Sequence, residues 1–209
     1  MLEQLLHGVV ALFVIIDPVG SAAIFAALMR GAPEAFRRRM AWRGTLVAGI
    51  LILAFAFIGA PLLDALGITL PAFRVAGGVL LFLLAIDMVF ARPSGIRYPT
   101  PREEEEAEHR TDISVFPLAF PLLAGPGALT SIVLLMARAP SPLEAAGVIL
   151  ALIIVMAVTL VLLLAASQVL RLLGITGTNV VGRVLGIILA ALAAQYVLDG
   201  VAQALPQLR

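Results

Sequence analysis

Six long apolar segments, separated by short connections and one longer polar stretch, make up most of this sequence. Each segment is close to the roughly 20 residues that an α-helix needs to cross the hydrocarbon of a bilayer. The pattern predicts membrane-spanning helices at about 3–28, 41–63, 71–90, 113–136, 143–166 and 179–200. The predicted fold class is therefore all-α, a polytopic membrane protein with a single transmembrane domain over 1–209.

The composition supports a membrane protein and argues against several other classes. Hydrophobic residues make up 62 % of the chain and charged residues 13 %, with a mean hydropathy of +1.10, far above an average water-soluble domain. A net charge of +1 offers no broad basic face for nucleic acid. Cysteine is absent and the only histidines are His7 and His109, so the spans cannot build a Ser–His dyad or a His-rich metal site. We expect a protein that is not an enzyme, whose first partner is the lipid bilayer.

Two of the six segments are interrupted near their middle. Asp17-Pro18-Val19-Gly20 breaks the first segment, and Gly125-Pro126-Gly127 breaks the fourth. In hydrocarbon, each unpaired backbone group costs several kcal/mol, so such interruptions need a compensating role. Asp17 follows Glu3 by 14 residues (17 minus 3), or roughly 21 Å of helix, and therefore lies near mid-membrane. Interrupted spans at corresponding positions of two halves are typical of a transporter's binding site.

Further stretches of the first half recur in the second at nearly the same offset. Leu66-Gly67-Ile68-Thr69 returns as Leu173-Gly174-Ile175-Thr176, and Arg74-Val75-Ala76-Gly77 returns as Arg183-Val184-Leu185-Gly186. Three spans per half is an odd number, so the second copy enters the membrane from the opposite face. We predict a 3+3 inverted repeat, with repeat 1 over 1–91, a polar loop over 92–112 and repeat 2 over 113–209.

Arginine residues are distributed unevenly among the connections. The first, third and fifth connections hold nearly all of them, and the first carries Arg30, Arg37, Arg38, Arg39 and Arg43. The positive-inside rule places these connections, including the loop from Arg92 to Asp112, in the cytoplasm and both termini outside.

In combination, these motifs resemble the MarC family of bacterial inner-membrane proteins, also called UPF0056 or NAAT. The resemblance is carried by Ile16-Asp17-Pro18-Val19-Gly20, Ala124-Gly125-Pro126-Gly127, Arg74 to Leu81 and Arg183 to Gly186, and it extends over essentially the whole chain. It implies a multi-pass protein of the cell inner membrane that transports small solutes. Because some members are described as transporters of small neutral amino acids, that substrate class is the first expectation.

The two interruptions differ in their chemistry. Asp17 can cap the amides of Val19, Gly20 or Ser21, whereas Gly125 has no side chain and leaves the amides of Gly127, Ala128 and Leu129 open to an anion. We expect both breaks to face one shared cavity, with a substrate carboxylate near Gly127 and Ala128 and with Asp17 facing an ammonium group, a proton or a sodium ion. No other cofactor is expected. The candidate substrate-binding residues are Asp17, Pro18, Gly20, Ser21, Gly125, Pro126, Gly127, Ala128, Thr130 and Ser131.

Alternative interpretations of the same residues remain open. Asp17 as a mere cap of a kinked helix, and Gly125 and Gly127 as close-packing positions, are the structural alternatives. Arg74 and Arg183 are expected to extend to the lipid headgroups. The competing functions are an exporter of metabolites or drugs and a non-transporting structural or regulatory membrane protein. A homo-oligomer is compatible with all of them.

Overall fold

The computed structural model describes residues 2–90 and 112–205, and every regular element within them is helical. The predicted polar loop at 92–112 lies outside the described residues except for Asp112. The helices are α1 (Leu2–Ile16), α2 (Pro18–Leu28), α3 (Glu34–Ala65), α4 (Leu70–Phe90), the π-helical α5 (Ser114–Leu123), α6 (Pro126–Ala137), α7 (Pro142–Leu164) and α8 (Ala166–Ala204).

Five of these stretches are each long and apolar enough to cross a membrane. They are α1 with α2 as one broken span, α3, α4, α7 and the part of α8 from Thr176 to Ala204. The pair α5 and α6 bends by 57° at its junction and makes a sixth span when it is counted as one. The structure therefore contains five to six candidate spans, and each predicted span falls on one of these stretches. The helix α3 begins at Glu34, earlier than predicted, because its arginine-rich first turns stay helical outside the apolar stretch.

One end of the bundle is held together by polar contacts of α3. Arg37 Nη1 donates to Ser167 Oγ at 2.8 Å, and Arg43 pairs with Asp112 at 2.9 Å. Hydrogen bonds from the Ser114 hydroxyl and amide, helped by Arg43, hold the pKa of Asp112 below its usual value. These contacts join the starts of α3, α5 and α8, and we call this side the arginine-rich end.

The opposite end joins three other helix termini. Gln4 Nε2, in the first turns of α1, donates to the carbonyl of Arg138 at 3.4 Å, and the Arg138 side chain pairs with Asp199 at 2.5 Å. The start of α1, the end of α6 and the last turns of α8 therefore lie together. Successive spans thus run in alternating directions, and the first and last described residues share one end.

The tightest helix pair is formed by α4 and α8, which run antiparallel along a line of glycines. A Cβ added to Gly78 would lie 2.9 Å from the carbonyl oxygen of Ala193, and one added to Gly200 would lie 2.9 Å from that of Pro71. Any larger residue there would separate the helices, so these glycines permit close backbone approach. The packing sets the register of the two helices, with the beginning of α4 beside the end of α8.

Large apolar side chains cover the outside of the bundle. Examples that are more than half exposed in the middle of their helices are Val10, Ile50, Phe57, Val161 and Ile187. In water such a surface would cost a large hydrophobic free energy, whereas lipid tails solvate it without penalty. The bundle is therefore built to face a bilayer.

Two glycines at equivalent sequence positions share a left-handed backbone. Gly67 has φ 68°, and Gly174, within α8, has φ 64°. Gly67 ends α3 in a Schellman motif, in which the amides of Gly67 and Ile68 donate to the carbonyls of Asp64 and Leu63. Gly67 lies at the end opposite the arginine-rich end, and Gly174 lies in the first turns of α8 near the arginine-rich end.

Candidate solute-binding site

Asp17 forms the first break, and its own side chain accepts a hydrogen bond from a backbone amide that the break leaves open. Its backbone is left-handed, with φ 44°, a conformation that Asp tolerates better than most residues. Its Oδ1 accepts the amide of Gly20 at 3.0 Å, so the predicted cap is confirmed. Capping withdraws that amide from the carbonyl of Ile16, which instead accepts the Ser21 hydroxyl at 3.0 Å. Pro18 is the first residue of α2, where its missing N–H costs nothing.

Position 20 must be glycine because the Asp17 side chain occupies the space that a Cβ would need. A Cβ at this position would lie 2.2 Å from Asp17 Oδ2, far inside van der Waals contact. The glycine therefore makes room for the carboxylate, which is 1 % exposed. An intramembrane carboxylate of this kind is a functional candidate by default.

The second break is assembled differently. Phe116 and Phe120 have extended backbones because each precedes a proline, and α5 ends with the amide of Ala124 bonded to the carbonyl of Ala119 at 2.8 Å. Gly125 then caps α6 without any side-chain hydrogen bond, and Pro126 is again the first helical residue. A Cβ on Gly125 would lie 2.5 Å from the carbonyl oxygen of Pro121.

Fewer amides are open at this second break than the sequence suggested. The amide of Leu129 donates to the carbonyl of Gly125 at 3.1 Å, so the expectation that it would be free is wrong. Gly127 and Ala128, in the first turn of α6, have no carbonyl partner within the described part of the chain. Two amides thus remain at a helix N-terminus, a geometry that suits a carboxylate.

The two breaks line different cavities, which corrects the expectation of a single shared one. Asp17 and Gly20 line a cavity of about 260 Å³ that follows one face of α2 to Arg30 and is walled by Thr178 and Asn179 of α8. This cavity therefore leads from mid-span toward the arginine-rich end.

The cavity at the second break is far smaller. Gly125, Pro126, Gly127 and Ala128 line about 20 Å³, room for roughly one water molecule. Ile15 forms part of its wall, and a Cβ on Gly127 would lie 3.7 Å from Ile15 Cγ2. The two breaks are therefore neighbours with the end of α1 between them.

The predicted hydroxyl groups do not converge on either cavity. Thr130 Oγ1 donates to the carbonyl of Pro126 at 2.9 Å, within its own helix. Ser131 is completely buried, and its Oγ has no hydrogen-bond partner. Ser21 is bonded to the backbone at the first break. The candidate residues thus form two groups around the prolines rather than one binding shell.

A partly buried polar cluster at the end opposite the arginine-rich end was not anticipated. It contains Arg74 of α4, Arg138 after α6, and Tyr196 and Asp199 of α8, which lie within electrostatic range of one another. Arg74 is only 3 % exposed, so the expectation that it reaches the headgroups is wrong, whereas Arg183 is exposed as expected. The polar positions 195, 196 and 199 on one face of an apolar helix were the available sequence signal.

These features define a class of protein: a multi-pass integral membrane protein whose spans include two that proline-containing breaks interrupt. The family model for "MarC family integral membrane protein" matches residues 2–205, and the chain belongs to this family.

Several relatives resemble the chain over nearly its whole length. The UPF0056 membrane protein MJ1677 of Methanocaldococcus jannaschii is 37 % identical, over 93 % of this chain and 94 % of that protein. The UPF0056 inner membrane protein YhgN of Escherichia coli is 34 % identical, over 96 % of this chain and 97 % of that protein. A UPF0056 membrane protein of Archaeoglobus fulgidus is also 34 % identical, over 93 % and 90 %. No solved structure matches the chain significantly.

Proposed function

We propose that this protein transports small solutes across the cell inner membrane, with small neutral amino acids as the first substrate class and a proton or sodium ion as coupling ion. The observation that carries the proposal is Asp17. Its carboxylate is buried at a break in a span, at the inner end of a 260 Å³ cavity that leads toward one end of the bundle. A carboxylate in this place attracts a cation or an ammonium group.

The amino acid class follows from the opposite polarity of the two breaks and from the family resemblance. Asp17 presents negative charge, whereas the open amides of Gly127 and Ala128 present the positive end of a helix dipole. A zwitterion carries both complementary charges. Since the cavity at Gly127 measures only about 20 Å³, we propose that solute reaches these amides in a second conformation, in which α5 and α6 have moved relative to α1.

The side of the membrane that the Asp17 cavity faces depends on how the protein is oriented in the bilayer, and we propose that orientation as well. The positive-inside rule puts the arginine-rich end in the cytoplasm and the start of α1 and the end of α8 outside. The name of the Escherichia coli relative, an inner membrane protein, supports the cell inner membrane as the location. In this orientation the Asp17 cavity faces inward.

We further propose that the bundle is a 3+3 inverted repeat, the architecture that alternating access commonly uses. Pro18 and Pro126 both begin a helix after a break. Gly67 and Gly174 have nearly the same left-handed φ at matching sequence positions but lie toward opposite ends of the bundle. Both observations support a second half that is inserted upside down. We propose transport rather than catalysis because the one histidine among the described residues, His7, is exposed in the first turns of α1, away from both breaks.

Uptake by purified protein in liposomes tests the role of Asp17. Labelled alanine would be supplied with proton or sodium gradients to the wild type and to Asp17→Asn, which preserves the left-handed backbone and the cap. We expect at least a tenfold loss of uptake. Asp64→Asn, which removes an exposed carboxylate at the end of α3, is the matched control and should transport normally.

Two results would contradict the proposal. Equal uptake by the wild type and by Asp17→Asn at every pH and sodium concentration would reduce Asp17 to a structural cap. A wild type that moves none of a panel of neutral amino acids in either direction would remove the substrate class, and accumulation only in the outward direction would indicate an exporter instead.

A further inference from the structure

The polar cluster opposite the arginine-rich end holds more positive than negative charge. Asp199 is the one carboxylate among the described residues that acts on Arg74. It is already engaged, because its Oδ2 accepts from Arg138 Nη2 at 2.5 Å and its Oδ1 accepts from Gln195 Nε2 at 2.6 Å. Arg74 Nε is buried without any hydrogen-bond partner. The cluster thus keeps one guanidinium without a counter-charge.

A buried guanidinium without a counter-charge is energetically unfavourable unless an anion binds to it. Removing a charged group from water costs several kcal/mol, and only a paired and hydrogen-bonded charge recovers that cost. Arg138 already forms an ion pair with Asp199. Its guanidinium also stacks over Tyr196, with 5.7 Å from the guanidinium carbon to the ring centre. Arg74 is therefore the cation that remains for an external anion.

A second unsatisfied group lies beside the same cluster. Ser131 is completely buried, and its Oγ has no well-formed hydrogen bond. Its hydroxyl lies near enough to the hydroxyl of Tyr196 to interact with it, and Tyr196 is itself within electrostatic range of Arg74. A guanidinium, a phenol and a serine hydroxyl are all hydrogen-bond donors, and together they match the oxygen atoms of a carboxylate.

The cluster lies on the line that leads to the open amides of α6. A Cβ on Gly77 would lie 1.9 Å from Thr130 Cγ2, and one on Gly127 would lie 2.7 Å from Leu81 Cδ2, so α4 and α6 run side by side and antiparallel. Arg74 precedes Leu81 by about two helical turns, or roughly 10 Å. Ser131 is one turn beyond Gly127 in the same direction.

We propose that Arg74, with the hydroxyls of Tyr196 and Ser131, forms a binding site for the carboxylate group of a small solute at this end of the bundle. This site would bind the solute that the proposed transporter carries. It rests on the proposed function only in one respect, namely that the solute then passes from Arg74 to the amides of Gly127 and Ala128. The pair Arg138–Asp199 keeps the neighbouring charges engaged with each other, so that Arg74 alone is available to the solute.

Thermal unfolding of the full chain in detergent tests this site with acetate as the probe and acetamide as its uncharged analogue. At ten times Kd, acetate should raise the Tm of the wild type by roughly 3–6 °C, and acetamide should not. Arg74→Gln should abolish the acetate response. Arg183→Gln, the same change at the exposed equivalent arginine, is the matched control and should respond as the wild type does.

The same experiment separates binding from a structural role. Without acetate, Arg74→Gln should be at least as stable as the wild type, because an uncompensated charge is removed. A structural arginine would instead give a lower Tm at every acetate concentration. If Arg74→Gln does not fold, Arg74→Lys is the replacement variant. Lysine keeps the charge but lacks the planar guanidinium, so the apparent Kd for acetate should rise about tenfold.

The site is wrong if acetate stabilises Arg74→Gln and Arg74→Lys as much as the wild type, or if acetate leaves the wild type unchanged. Alanine uptake in liposomes is measured separately on the wild type. Uptake without an Arg74-dependent acetate response would remove only the carboxylate site. An Arg74-dependent response without transport of any solute would remove only the proposed transport function.

Discussion

The two broken spans use the same backbone device but present opposite chemistry. In each, a proline is the first residue of a new helix, Pro18 in α2 and Pro126 in α6. Asp17 precedes the first and caps its helix with a carboxylate, whereas Gly125 precedes the second and provides no cap. One break therefore presents a carboxyl group and the other exposes amide donors. The residue immediately before the proline thus determines the chemistry of each break.

The cavities beside the breaks differ as strongly. The Asp17 cavity measures about 260 Å³ and leads to the arginine-rich end, and the Gly127 cavity measures about 20 Å³. In one conformation of the bundle, then, only one break is accessible to anything larger than water. Three pairs of substitutions test this difference between the two breaks.

The largest effect is expected at the second break from Gly125→Ala. Its new Cβ would lie 2.5 Å from the carbonyl oxygen of Pro121, and backbone cannot move aside cheaply, so we expect a loss of about 2–3 kcal/mol in unfolding free energy. Gly127→Ala is the matched control, because its closest contact, at 2.7 Å, is the flexible end of the Leu81 side chain, and it should cost about 1 kcal/mol. Chemical unfolding in detergent measures both, and equal costs would show that the junction of α5 and α6 adapts freely.

A smaller effect is expected at the first break from Gly20→Ala. The added methyl group would displace the Asp17 carboxylate from the amide it caps, and loss of an N-cap costs about 1–2 kcal/mol. Gly182→Ala, on the opposite wall of the same cavity with nothing within 4 Å, is the control and should not lower the Tm, because alanine favours a helix more than glycine does. If Gly20→Ala behaves like Gly182→Ala, the cap contributes nothing to stability.

The smallest effect compares two buried serines, one after each break. Ser21 donates to the carbonyl of Ile16 at 3.0 Å, so Ser21→Ala should cost about 1 kcal/mol. Ser131 Oγ has no partner, so Ser131→Ala should be neutral or slightly stabilising in the absence of a solute. The same unfolding assay measures both, and a larger loss for Ser131→Ala would mean that its hydroxyl is already bonded in the resting protein.

Much of the fold could be predicted because the governing interactions are local in sequence. Twenty or so consecutive apolar residues predict a span wherever they occur, and a proline close to a glycine in the middle of a span predicts a break, as at Pro18 and Pro126. The cap formed by Asp17 was predictable for the same reason, since donor and acceptor are three residues apart. The π-helical path of α5 was missed, although the prolines at 117 and 121 are visible in the sequence.

The candidate site was predicted only in part, because a cavity is a property of several helices at once. The positions of both breaks were correct, but whether they share a cavity depends on where Ile15 and the end of α1 lie. Arg74 and Arg183 occupy matching positions in matching motifs and look alike in the sequence. Only their surroundings distinguish them, since Arg74 is buried and Arg183 exposed.

Local sequence patterns are enough to identify a membrane protein with five to six candidate spans, two interrupted segments and an arginine-rich end. Hydrophobicity, helix propensity and capping act between neighbouring residues, so no tertiary information was needed. Packing between the helices determines which break has an open cavity, which arginine is buried and which serine lacks a well-formed hydrogen bond. Those outcomes depend on packing between residues far apart in the chain, above all where the glycines of α4 and α8 allow the two helices to meet.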